Sequence, residues 1–371
     1  MKQMLVALIM CVVGWVSAVG EIVTTFWDGP MLFQVLSEED GTAALIAPIE
    51  ESMDAEYLQG MTKVTVPTTA TDSTTGLTYR VEIVGVVAFS SMRASVEEVV
   101  ISEGIKEVYG FIGMPNLRSV VLPNSVETLW GFRHVPNLKE LKFPDGLQSI
   151  GPMSFWDTGI TQYKFPESMR SIDSESMWGC DEVTEFSMPG IEVIGDKSVG
   201  PLSKLKKLVL PACLRRVYWE AVLGNMEEIW FETDGTDARC VLNYDSFRCR
   251  PKAVYCARPL PPEIGYYDLF ISTGGENRDK VCYSVIFGGF AHMQNVKLYV
   301  PVGYGEVYRQ HRFWGAMQVQ EYDFDAGVAV SVADVKNDVT PYYDLLGRNV
   351  AQVDSAPPGI YVRAGRKHLV R

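Results

Sequence analysis

Histidine is scarce in this chain, and the motifs that usually recruit it for catalysis are absent. Only His134, His292, His311 and His368 occur in 371 residues, and no two stand at metal-ligand spacing. There is no His-Glu-x-x-His, no Cys-x-x-Cys, no Gly-x-Ser-x-Gly and no phosphate-binding loop. Zinc hydrolysis, dithiol redox chemistry, serine acyl transfer and nucleotide hydrolysis therefore lose the residues each requires. The expectation is a protein that is not an enzyme and uses no metal or cofactor. Positive charge is also in deficit, with 33 Lys and Arg against 46 Asp and Glu and a net charge of −13. Binding to a phosphate backbone needs a basic stripe that releases counterions, so nucleic acid is excluded as a partner.

Long apolar runs are missing too. The longest, Leu5 to Trp15, falls well short of the roughly 20 residues that span a bilayer. It follows Lys2 and precedes the small residues Val16-Ser17-Ala18 and Ala18-Val19-Gly20, which reads as a signal peptide over residues 1–20 rather than a transmembrane segment. Export places the protein outside the cytoplasm, where disulfides persist. Six of the seven cysteines lie beyond the signal, and Cys240, Cys249, Cys256 and Cys282 cluster in one stretch. Disulfides are expected chiefly among those four, stapling an irregular region, with the pairing left open.

What is present in quantity is repetition. Residues 96–232 carry seven copies of one phrase: apolar, two polar, apolar, one residue, apolar, and usually Pro. Leu117, Val120 and Leu122 precede Pro123; Leu138, Leu141 and Phe143 precede Pro144; Ile160, Tyr163 and Phe165 precede Pro166; Val183, Phe186 and Met188 precede Pro189; Leu205, Leu208 and Leu210 precede Pro211. Weaker copies end at Ile101 and Phe231, so the final apolar positions fall at intervals of 21, 21, 22, 23, 22 and 21. A unit of about 22 residues cannot bury its apolar edge alone and must stack on its neighbours, which predicts a solenoid. Each phrase reads as a short strand ended by Pro, which has no N–H to donate. A second recurring piece follows, in which a small residue at 154, 176, 198 and 221 precedes a large one and lets adjacent rungs approach as the chain turns back. Trp130 breaks this piece after Leu129, predicting a distorted third rung.

These residues resemble the BspA-type leucine-rich repeat of exported Bacteroidetes proteins. The likeness extends to an entry unit, Val64-Thr65-Val66-Pro67 with Gly76-Leu77-Thr78-Tyr79 and Ala88-Phe89. It also covers an exit unit, Leu298-Tyr299-Val300-Pro301 with Tyr308 and Trp314, and Gly179-Cys180 sits where that family often carries Gly-Cys. The resemblance implies a mainly β leucine-rich-repeat solenoid of about seven to eight rungs with a parallel sheet. An N-terminal β cap and an irregular C-terminal cap would close it. Tyr342-Tyr343-Asp344-Leu345-Leu346-Gly347-Arg348 and Pro358-Gly359-Ile360-Tyr361-Val362 further resemble the C-terminal sorting tail of the type IX secretion route, a small β unit. The expected organisation is signal peptide 1–20, N-terminal cap 21–60, solenoid 61–232, C-terminal repeat and cap 233–325, linker 326–341 and tail 342–371. The protein would be secreted or held on the outer cell surface, and its oligomeric state is not encoded in any recognisable pattern.

Two surfaces are candidates for binding. The outward pairs of successive strands place Arg118, Lys139, Glu140, Thr161, Gln162, Thr184, Glu185, Lys206 and Lys207 on one sheet face. Stacked in register, Glu97 would neighbour Arg118, Lys206 would neighbour Glu227, and Lys207 would lie between Glu185 and Glu228. In the return segments Trp156 and Trp178 lie one period apart and follow the inward Phe155 and Met177, so they are expected to point outward. Trp130 and Trp219 are expected to fill the core. The resemblance implies adhesion, with a host or extracellular protein bound on the sheet face. The alternatives are a glycan held on Trp156 and Trp178, or a structural role in the envelope.

Overall fold

The computed structural model describes residues 24–46, 60–235, 239–243, 245–265, 287 and 290–330, with the strands Tyr342–Asp344, Asn349–Val350, Gly359–Arg363 and Arg366–Val370. The expected signal peptide, Cys11, Cys282 and most of the expected linker lie outside the described residues. The architecture is mainly β, a solenoid of about nine turns. That is slightly longer than the strict repeat implies, because the flanking units join the stack.

One wall of the solenoid, the front, is built from the repeated phrase. Lys63–Val66, Glu98–Ile101 and Ser119–Val121 pair in parallel, as do Gln162–Lys164 and Glu185–Ser187. Lys207–Leu210, Glu228–Phe231, Ala253–Cys256, Lys297–Pro301 and Gln318–Asp323 form a longer parallel run, closed by the antiparallel Val328–Val330. The front is thus interrupted on either side of the central rungs. Residues 138–143 keep their inward side chains but form no strand. The breaks coincide with the bulkiest interior residues, where Phe143, Phe155, Tyr163, Phe165 and Phe186 pack with ring centroids 4.9 to 6.3 Å apart. Within this aromatic cluster the strands of Tyr163 and Phe186 stay paired. The distortion expected at the third rung is real, but its seat is on the front. The turn after Trp130 does have a small residue, Gly131, with φ +90°, where a Cβ would lie 2.9 Å from the backbone nitrogen of Gly110.

The return segments are more ordered than turns. Two-residue strands pair in parallel along a second wall: Glu107–Val108, Thr128–Leu129 and Ser149–Ile150, then Ser171–Ile172, Val193–Ile194, Arg216–Val217, Val241–Leu242 and Glu263–Ile264. Val199–Leu202, Val222–Gly224 and Phe247–Arg248 make a third. The recurring small-then-large pair lies at the start of this third wall. Ser154, Ser176 and Ser198 are buried and donate to the carbonyls of Gly151, Asp173 and Gly195, which satisfies hydroxyls that would otherwise be costly to bury. The large partners Phe89, Phe111, Phe132 and Phe155 stack at 5.0, 4.4 and 5.6 Å. Met153, Glu175, Lys197, Glu220 and Asp245, one turn apart, all hold a left-handed backbone before the small residue. Nothing in their side chains announces this conformation.

At the N-terminal end Thr25–Asp28 and Met31–Ser37 form a hairpin. Thr42–Ile46 then joins it to Thr78–Val84 on the second wall. At the other end Tyr308 and Trp314 are fully buried. Their polar atoms are satisfied by the carbonyls of Arg258 and Pro262, each at 2.8 Å, so these aromatics anchor the exit unit to the same interior as Phe231. The four tail strands form an antiparallel sheet.

Candidate interaction surfaces

The sheet-face residues read from the sequence are brought together only in part. Gln162 and Glu185 are register partners, and Thr161 and Thr184 lie side by side through a backbone bond. Lys206 meets Glu227 at 3.5 Å, and Arg118 reaches Glu97 at 3.8 Å. Lys139 turns back to the carbonyl of Pro136, and Glu140 is exposed on the stretch without a strand. Lys207 is the register partner of Glu228, as expected, but its ammonium pairs with neither Glu228 nor Glu185. Its ammonium lies 3.9 Å from the ring centre of Trp230, while Glu185 pairs with Lys164. A ring face attracts a cation through its quadrupole. The Glu227 carboxyl is held below its ordinary range by the hydrogen bond and charge of Lys252, then by Lys206. All these pairs are exposed, so water screens them and their contribution to stability is small.

The front carries a feature that reading only the outward pairs overlooks. The outward middle residues of three adjacent strands are Trp230, Tyr255 and Tyr299, in register. Trp230 and Tyr255 stack at 3.9 Å and 10°, and Tyr255 and Tyr299 at 4.6 Å and 16°. Tyr322 closes the row edge-on to both tyrosines at 5.3 Å, and Phe324 packs against Tyr322. The indole N–H of Trp230 is held by Glu228, and burial pushes the Tyr255 hydroxyl up. The signal was legible in Ile229-Trp230-Phe231, Val254-Tyr255-Cys256 and Leu298-Tyr299-Val300, where each central residue must face out. Because the rings cover one another's faces, this row presents edges and hydroxyls to solvent.

Trp156 and Trp178 are half-buried on the third wall, as their position after Phe155 and Met177 requires. Trp130 and Trp219 do not fill the interior. Trp130 lies over Gly151 and packs on a satellite cluster with Tyr109, Ile83 and Leu32. Trp219 is covered by the Lys197 ammonium at 4.8 Å. Trp130 directly follows the inward Leu129, so its side chain leaves the core.

The cysteines also depart from expectation. Cys240, Cys249 and Cys256 are buried free thiols, so no disulfide forms among them. Cys249 and Cys256 occupy inward positions of the stack and act as small apolar fillers. Burial pushes Cys240 and Cys249 up to about 12 and Cys256 up to about 11, which leaves them protonated and poorly nucleophilic.

With this geometry in place, the repeat itself can be assigned, because residues 107–222 match the family model of the BspA type leucine rich repeat region in six copies. Those turns are similar to the BspA-type repeat. The chain is also similar to a leucine-rich repeat protein from Bacteroides ovatus, at 18% identity over 74% of this chain and 70% of that one, TM-score 0.47. A leucine-rich repeat protein from Bacteroides capillosus aligns at 23% identity over 37% of this chain and 94% of that one, TM-score 0.31. A leucine rich cell surface protein from Faecalibacterium prausnitzii aligns at 12% identity over 69% and 96%, TM-score 0.20. No match was found among curated proteins. No helix among the described residues is long and apolar enough to cross a membrane. In BspA-type terms, the small-then-large pair of each unit supplies the third wall, and the polar pair supplies the front.

Proposed function

We propose that the protein is an exported, non-enzymatic repeat protein that binds an extracellular or host protein through its front. The observation that carries this reading is the row Trp230, Tyr255, Tyr299 and Tyr322. Aromatic residues already stacked in register lose little further entropy on binding, and Trp and Tyr dominate protein contact sites. Lys206, Lys207, Glu185 and Gln162 would form its polar surround. The test is solid-phase binding of the full chain to immobilised extracellular-matrix proteins. Tyr255→Ala should weaken binding by roughly tenfold or more, and Lys206→Glu with Lys207→Glu should remove its salt dependence. Retention of full affinity by both variants, or no binding by the native chain, would contradict the assignment.

Export and surface retention rest on the signal-like N-terminus and on the sorting-like tail. If the tail is a sorting signal, deletion of 342–371 should leave the protein inside the envelope of its native host. Unchanged surface labelling after deletion would refute that role.

A further inference from the structure

We propose that Trp156 and Trp178, with the chain Arg133, His134 and Asp157, form a binding site for a neutral hexopyranose glycan on the third wall. This site is independent of the front and of the protein partner proposed there. The residue after each large inward side chain points outward, and on successive turns these are Arg133, Trp156, Trp178 and Gly200. Backbone bonds from His134 to Trp156 and from Asp157 to Trp178 keep the turns aligned. The Arg133 guanidinium lies 4.5 Å from the centre of the Trp156 ring, which occupies that face. One turn beyond Trp178 the equivalent position is Gly200, so no side chain is available there to cover the second indole. The half-buried indole of Trp178, with glycine at the equivalent position of the next turn, supplies the kind of flat, apolar and rigid surface that the C–H face of a pyranose ring packs against.

The polar groups beside it are fixed. Arg133 Nε donates to His134 Nε2 at 3.2 Å. His134 Nε2 is therefore the acceptor, and Nδ1 carries the proton given to Asp157 Oδ2 at 3.0 Å. The other carboxylate oxygen of Asp157 has no hydrogen bond among the described residues. Asp157 is 62% exposed and His134 46%. His134, Asp157 and Gly179 hold left-handed backbones one turn apart. The atoms nearest to where a Cβ of Gly179 would stand are those of Asp157, the nearest at 3.5 Å, so the glycine adds no side chain beside the exposed carboxylate. A pre-oriented acceptor beside a half-buried indole matches the paired hydroxyls and apolar face of a sugar. The net charge of −13 selects neutral over acidic glycans through repulsion.

The test is a printed array of neutral and acidic oligosaccharides probed with the full chain, then calorimetry with the strongest neutral hit. Neutral hexose oligosaccharides should be retained. Trp178→Ala and Asp157→Asn should each weaken binding by about tenfold or more while leaving the melting temperature unchanged. Asp157→Asn alters only an exposed atom, so it keeps the test valid should Trp178→Ala disturb folding. No bound glycan, a preference for acidic glycans, or undiminished binding by Asp157→Asn would each overturn the proposal. Capture of a protein at this patch in the absence of sugar binding would do the same.

Discussion

Single residues in this fold are judged by the turn they occupy, and Asp245 shows how far that position can move a side chain's chemistry. It is 7% exposed and lies beside Glu220 and the guanidinium of Arg248, with Lys197 on the far side of Glu220. One of its oxygens has no hydrogen-bond partner. Burial raises its carboxyl to about 6, Arg248 works against the shift and Glu220 adds to it. The ordinary value is about 3.9. Between about pH 4 and about pH 6 the folded state therefore binds more protons than the unfolded one, and stability from this group falls as pH rises. Its contribution is complete below about pH 4 and lost above about pH 6. Asp245→Asn should remove that slope, so that the variant gains on the native chain as pH rises from 4 to 7 in chemical denaturation. A stability difference that stays constant over that range would show that Asp245 does not titrate as described.

At the scale of the element, the rung is the unit, and its inward positions carry the stability. Leu141 is 7% exposed in a rung that has lost its strand, so packing is all that holds it. Leu141→Asp would place an unpaired charge among Phe143 and its neighbours and should cost about 3 to 5 kcal/mol, seen as a large fall in melting temperature. A change within about 0.5 kcal/mol, typical of a surface site, would mean that the rung is aligned wrongly. Inward positions were legible in the sequence because apolar spacing reports burial directly: Val99, Val120, Leu208 and Ile229 all face the core as their spacing requires. Outward contacts were legible only where charge alone decides, as for Arg118 and Glu97. Lys207 escaped because its partner, Trp230, occupies a different column of the next strand. The sheet interruptions escaped because residues 138–143 carry the same apolar spacing as the rungs that do form strands. The third wall escaped because its strands include residues such as Gly200 and Gly224, which carry no strand signal.

For the whole molecule, the described residues from 60 to 330 form one stack rather than a solenoid with a separate C-terminal domain. The front strands run in unbroken pairing from Lys207–Leu210 to Gln318–Asp323. Phe231, Phe247 and Trp314 share one interior across that span. A repeat stack draws its stability from interfaces between neighbours, so cutting it after Phe231 would expose an apolar rung end and unpaired strand edges. It is also this continuity that sets Trp230, Tyr255, Tyr299 and Tyr322 in a row. Limited proteolysis of the full chain, with fragments identified by mass, tests it most directly. The expected first cuts lie between Ala326 and Asp338, with no stable product ending near Glu232. Accumulation of a folded fragment ending near Glu232 would contradict the single stack and, with it, the continuous front on which the proposed binding role depends.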